Sequence, residues 1–267
     1  MPLESVQPQE GQLMKTYIFA GKGGVGKTNS TVALGLHLAS TGMKTCIVDY
    51  DGGHSVAWAL GREAILPGRT TRVAQNLSVA VIEEHEFQAI AECKKNGTSL
   101  ETYLTQFPDD LGIIPLADMV NAFFGVPTDV AALSRLAQLV RILSEAEEKY
   151  DAMLIDVEPT AGLAHMLSNI EATARSLVNL NNQGIVKLAV LGATWPDIAG
   201  YLKSKYIRNA EKYAGRLAQS AKILKGARYN IVATPEEGPI KQTEDVARII
   251  MRFGGKVHAQ SPLPVLE

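Results

Sequence analysis

The stretch Gly21-Lys22-Gly23-Gly24-Val25-Gly26-Lys27-Thr28 constrains this chain more than any other, because it meets the phosphate-loop pattern G-x-x-x-x-G-K-[ST] at every fixed position. Glycines let a backbone take left-handed conformations and approach an anion with no Cβ in the way, so successive N–H groups can turn toward one phosphate. In such a loop Lys27 reaches the outer phosphates, the Thr28 hydroxyl holds Mg2+, and the following helix offers its positive end to the nucleotide. The flanks agree with this. Thr16 to Ala20 reads as a short buried strand entering the loop, and Thr28 to Ser40 as the helix leaving it, with Gly42 where a terminating glycine belongs. A chance glycine-rich turn has no reason to sit between such neighbours. The expected nucleotide contacts are Gly21, Lys22, Gly23, Gly24, Val25, Gly26, Lys27, Thr28 and Asn29.

The rest of the chain alternates strand-like and helix-like runs. Lys44 to Val48, Asn76 to Ile82, Ala152 to Ile155 and Tyr229 to Ala233 read as strands. Val130 to Glu148 has Leu133, Leu136, Val140 and Leu143 along one side and reads as an amphipathic helix. Further helices are expected from about 161 to 176, 196 to 225 and 240 to 253. This alternation predicts an α/β fold, a doubly wound and mostly parallel sheet flanked by helices. At 267 residues the chain suits one domain, from residue 14 to 267, behind a polar, proline-containing tail at 1–13 read as flexible. The helical segments at about 83–129 and 196–225 are the expected partner-binding surface.

Ligands of open parallel sheets lie at the carboxyl ends of the strands, which singles out two acids. Asp51 follows the second strand and Asp156 ends a later one, where each could reach Mg2+ or an attacking water. The plainer alternative for Asp156 is a helix N-cap. Asp49, in the same Asp-Tyr-Asp run, competes evenly with Asp51 for the site-facing role.

Lys22 is not required by the plain loop pattern. GKGGVGKT resembles the deviant phosphate loop of a class of ATPases in which that extra lysine crosses a dimer to the partner's nucleotide, although a solvated loop lysine is the simpler reading. Within the class, Asp51-Gly52-Gly53-His54-Ser55 resembles the first switch, D-P-A-H-S, of the arsenite-pump and tail-anchored-protein targeting ATPases. Asp156-Val157-Glu158-Pro159-Thr160 is similar to their second switch, D-T-A-P-T, and Thr234-Pro235-Glu236 to a late segment near the adenine. The likeness runs from about Met14 to Val257. It implies a Mg-ATP-dependent homodimeric ATPase, with Lys22 and Asp51 catalytic, Thr28, Asp51 and Asp156 around the metal, and Pro235 and Glu236 beside the base. It also implies a client protein or membrane-protein partner. The departures are specific: Ala161-Gly162-Leu163 replaces the Gly-His-Thr that usually follows the second switch, and the family's zinc and arsenic-sensing cysteines have no counterparts in Cys46 and Cys93.

Composition narrows the alternatives. A net charge of −2 gives no general case for nucleic acid, and the basic residues from Lys203 to Arg228 read as a solvated helix face. A partition or division-site ATPase that binds DNA through that face is the less favoured reading, as is a nucleotide binder with little turnover. The amino terminus lacks a signal-peptide core and no apolar run is long enough to span a bilayer, so a cytoplasmic protein is expected, not an integral membrane one. Trp58, Met119, Phe123 and Phe124 could line a client groove, but core packing is the plainer reading.

Overall fold

A strand covered on both faces needs apolar side chains pointing both ways, and β2 (Thr45–Asp49) and β5 (Ala152–Asp156) are buried at every position. They lie in a seven-stranded sheet with β1 (Lys15–Ala20), β3 (Thr70–Ala74), β4 (Leu77–Val81), β6 (Arg228–Ala233) and β7 (Lys256–Pro262), in the order β3-β4-β2-β5-β1-β6-β7. Every pairing is parallel except β3 with β4. The computed structural model describes residues 14–50, 53–62, 65, 70–82, 130–157, 160–179 and 207–262. The tail at 1–13, the segment 83–129 with Met119, Phe123 and Phe124, residues 196–206 and Asp51 lie outside the described residues.

Alternate residues of each strand feed two separate cores. Phe19, Ile47, Val79, Val81, Leu154 and Val232 pack with Val32 and Ala39 of α1 (Lys27–Ser40) and with Val56 and Ala57 of α2 (Ser55–Ala59). Ile18, Val48, Ile82, Met153, Ile155 and Tyr229 face the opposite way, toward α3 (Val130–Ala146), α4 (Thr160–Asn179), α5 (Ile207–Gly226) and α6 (Glu237–Phe253). The side-chain period of a strand therefore sorts the helices into two layers. The expected doubly wound, mostly parallel α/β sheet is what forms.

Three features go beyond the sequence reading. β3 is an antiparallel edge strand that the pattern did not reveal, since Thr70, Arg72 and Ala74 are exposed. Asn76 belongs to the turn before β4, not to the strand, and takes a left-handed φ of 58°, which asparagine tolerates. β7 closes the other edge. Trp58, for which core packing was the plainer reading, is 68% exposed on α2.

α1 approaches the sheet closely at Gly35, where a Cβ would stand 2.7 Å from Ile47 Cδ1 and 3.1 Å from Ile47 Cγ1. At Gly215 of α5 a Cβ meets nothing within 4 Å. Gly215→Ala is expected to raise stability by about 0.5–1 kcal/mol through helix propensity. Gly35→Ala, with the same propensity gain, is expected to lower it by about 1–3 kcal/mol through overpacking. Urea midpoints of the two variants check the pair, and equal shifts would contradict the close approach.

Candidate nucleotide site

The loop between β1 and α1 occupies the crevice where connections diverge. β1 sends α1 to one face of the sheet, while the adjacent β5 sends α4 to the other, and ligands of such sheets bind at this kind of switch point. Gly21 has φ 149° and lies so close to β6 that a Cβ would come within 2.1 Å of the Val232 carbonyl oxygen. Any other residue would push the loop off the sheet. Gly26 takes φ 89° and ψ 22° as the N-cap of α1, a left-handed turn that starts the helix with no side-chain cap and no acid in its first turn. The amides at this helix start are thus left to an anion.

Side chains converge on the crevice from both strands. Lys27 is only 8% exposed, and its ammonium donates to the Lys22 carbonyl at 3.0 Å, across the loop. The Thr28 hydroxyl donates to Asp156 Oδ2 at 2.6 Å. One turn on, the Thr31 hydroxyl donates to the Lys27 carbonyl at 2.9 Å and lies 3.5 Å from Asp156 Oδ1. Asp156 is buried, and its register partner in β1 is Phe19, next to the loop. The Asp156 carboxylate reaches back to α1, and α4 begins at Thr160. A hydroxyl and a carboxylate side by side at a helix start are hard oxygen donors of the kind that suits Mg2+. Thr28 and Asp156 fit that ion.

Asp49 has a different place. It is fully buried, pairs in register with Asp156 across β2 and β5, and its Oδ2 accepts the Val56 N–H at 3.3 Å. Its carboxylate thus ties the start of α2 to the end of β2. His54, just before α2, holds a left-handed φ of 53°. Pro235 and Glu236 leave β6 beyond the same Val232 that abuts Gly21, and both are exposed, with Glu236 as the extended N-cap residue of α6. Lys22, Gly23, Gly24 and Asn29 are exposed and Val25 is buried in the core beneath the loop. Thr31 was missed by the sequence reading, although its position three residues after Thr28 puts both hydroxyls on one helix face.

Cys46 lies in β2 with no exposed surface, and burial pushes its thiol up to about 12, against a smaller opposing hydrogen bond from Tyr150. It remains a protonated thiol at neutral pH, unsuited to hold a soft metal or metalloid. Burial likewise pushes the Tyr50 phenol up to about 12, with the Arg135 guanidinium pulling the other way.

A family model described as anion-transporting ATPase matches residues 14–260. The chain is 26% identical over 250 residues to a putative arsenical pump-driving ATPase 2 of Aquifex aeolicus, covering 92% of this chain and 78% of that protein. It is 28% identical over 165 residues to ATPase GET3C of Arabidopsis thaliana, covering 58% of this chain and 41% of that one. It is also 28% identical over 160 residues to the chromosome-partitioning ATPase Soj of Treponema pallidum, covering 56% and 50%. Against several of its relatives the chain thus spans well under two thirds of their length, 41% of ATPase GET3C and 59% of a putative arsenical pump-driving ATPase of Chlorobaculum tepidum.

Thr28→Ala removes the hydroxyl that faces Asp156. Nucleotide affinity measured with Mg2+ is expected to fall by roughly tenfold or more, the worth of a hydrogen bond to a charged group, and affinity measured in EDTA to change little. An equal loss under both conditions would assign Thr28 to the loop's shape and not to the metal.

Proposed function

The chain belongs to the anion-transporting ATPase family, a family of ATPases, and from that premise we propose that it is a Mg-ATP-dependent switch, working as a cytoplasmic homodimer and coupling ATP hydrolysis to a client protein or membrane-protein partner. The supporting observation is the convergence of Lys27, Thr28 and Asp156 on one crevice while Lys22 stays exposed at its rim. In this reading the Lys27 ammonium exchanges the Lys22 carbonyl for outer-phosphate oxygens, and the amides of the loop and of the first turn of α1 hold the remaining charge. Thr28 and Asp156 would hold Mg2+, which would supply positive charge against the negative charge that builds on the phosphates. Asp51 orients the attacking water, and Pro235 and Glu236 flank the adenine. Lys22 of each subunit completes the other's site.

The region around 83–129 and α5 is the proposed partner surface. Among the described residues no helix is long and apolar enough to cross a membrane. The similarity to a chromosome-partitioning ATPase favours a second reading, a positioning ATPase that holds duplex DNA when dimeric with ATP. Against it, two basic residues of the expected DNA face have intramolecular contacts. Lys225 pairs with Glu171 at 3.5 Å and sits 5.2 Å over the Phe253 ring, and Arg228 lies 5.8 Å from the Tyr17 ring centroid.

Lys22→Ala is expected to slow ATP turnover by about 10³-fold, as loss of a finger residue does, while leaving nucleotide binding in place. The mass in solution is expected to double with a nonhydrolysable ATP analogue. Full-rate turnover by a lone Lys22→Ala subunit would end the dimeric reading, and salt-sensitive, ATP-dependent retention of duplex DNA would favour the second one.

A further inference from the structure

A helix of five residues has no stability of its own, so α2 exists only where the surrounding structure fastens it. Its first fastening is the buried Asp49 carboxylate, which accepts the Val56 N–H. A second lies at its other end. The chain closes α2 through Leu60, Gly61 and Arg62, whose N–H groups donate to the carbonyls of Val56, Trp58 and Ala57 at 3.1, 2.9 and 2.9 Å. The Arg62 guanidinium then leaves the helix and donates through Nη2 to the Val73 carbonyl of β3.

Val73 is where the antiparallel ladder is irregular. Arg72 pairs with Ser78 and Ala74 with Leu77, so the register shifts across Val73. A bulge of this kind leaves one residue out of the ladder and re-aims its groups. The Val73 side chain packs in the same core as Val56, Ala57 and Ile65, and its carbonyl receives Arg62. The edge strand and the short helix are thereby joined through a side chain and a buried apolar contact.

We infer that Arg62 is a positioning residue for the acidic segment: by pinning α2 to the bulge at Val73 it fixes the chain that follows Asp51. The inference rests on the proposed role of Asp51 in orienting water. Asp51 precedes the first residue of α2 by four positions in the sequence, so a fastened α2 tethers the chain on that side. A guanidinium has the length and the charge to hold a carbonyl at partial exposure, where a neutral donor would lose more to competing water. Val25 of the phosphate loop shares the core of Val56 and Ala57, but the Arg62 guanidinium acts at the far end of α2, so the anchor is expected to act mainly on turnover.

The test compares the full chain with its Arg62→Ala and Arg62→Lys variants. Amide hydrogen exchange is measured without nucleotide, and kcat and ATP affinity with Mg2+. In Arg62→Ala the amides of residues 55–62 are expected to exchange roughly tenfold faster, with α1 unchanged, and kcat to fall by a similar factor while ATP affinity holds within about twofold. Arg62→Lys, which can still donate to the carbonyl, restores part of both. Unchanged exchange in α2, or faster exchange with kcat intact, overturns the inference. So does a parallel loss of kcat, affinity and global stability. If Arg62→Ala fails to fold, Arg62→Gln is read by the same criteria. The exchange measurement needs no hydrolysis: full turnover by Asp51→Asn would remove the proposed role of Asp51 and leave the anchoring of α2 as measured.

Discussion

The structure turns on a buried carboxylate that must be satisfied. Asp156 is 1% exposed at the end of a strand buried throughout, and a carboxylate in that position costs several kcal/mol unless donors surround it. A donor comes from α1, the Thr28 hydroxyl at 2.6 Å, with the Thr31 hydroxyl 3.5 Å from the other carboxylate oxygen. Because β5 lies beside β1, and α1 follows β1 after a six-residue loop from Gly21 to Gly26, those bonds close the loop's frame from below. One acid therefore fixes the start of the helix, the path of the glycine loop and the place where a metal ion would meet both. Asp49, its register neighbour, does the same for α2 through Val56, so the two buried acids position two helices of one layer.

Close packing supports that frame. Gly35 lets α1 approach Ile47 and Leu77, with a hypothetical Cβ 3.7 Å from Leu77 Cδ1, and Gly21 lets the loop rest on the carbonyl of Val232. The loop is thus held from two strands and one helix before any ligand arrives. Preorganisation of this kind lowers the entropy lost on binding, because the amides need not be gathered by the phosphate.

Much of this was legible in the sequence, for local reasons. The glycines, Lys27 and Thr28 occur at fixed spacing within a few residues, and Asp156 closes a run, Ala152 to Ile155, whose apolar continuity marks a strand buried on both faces. Other features depend on neighbours that a one-dimensional reading does not contain. β3 has exposed Thr70, Arg72 and Ala74 with a bulge, so neither apolar continuity nor clean alternation survives in it. β7 reads as Lys-Val-His-Ala-Gln-Ser-Pro, polar and ending in proline, and becomes a strand because β6 offers it a parallel edge. Asp49 and Asp51 have the same chemistry and the same parity along the chain. The Val56 N–H that Asp49 accepts is a tertiary contact the one-dimensional pattern does not contain.

One peptide group links the two lysines of the loop. The ammonium of Lys27 rests on the carbonyl of Lys22, so an anion entering the loop competes with that carbonyl for the same cation. The exchange favours the anion, since a phosphate oxygen carries formal negative charge where the carbonyl offers only a dipole. An anion that took that ammonium would free the Lys22 peptide from its tie to α1. In this structure that tie joins the exposed lysine's backbone to the buried helix start. The geometry therefore couples the path of the Lys22 peptide to whatever the Lys27 ammonium holds.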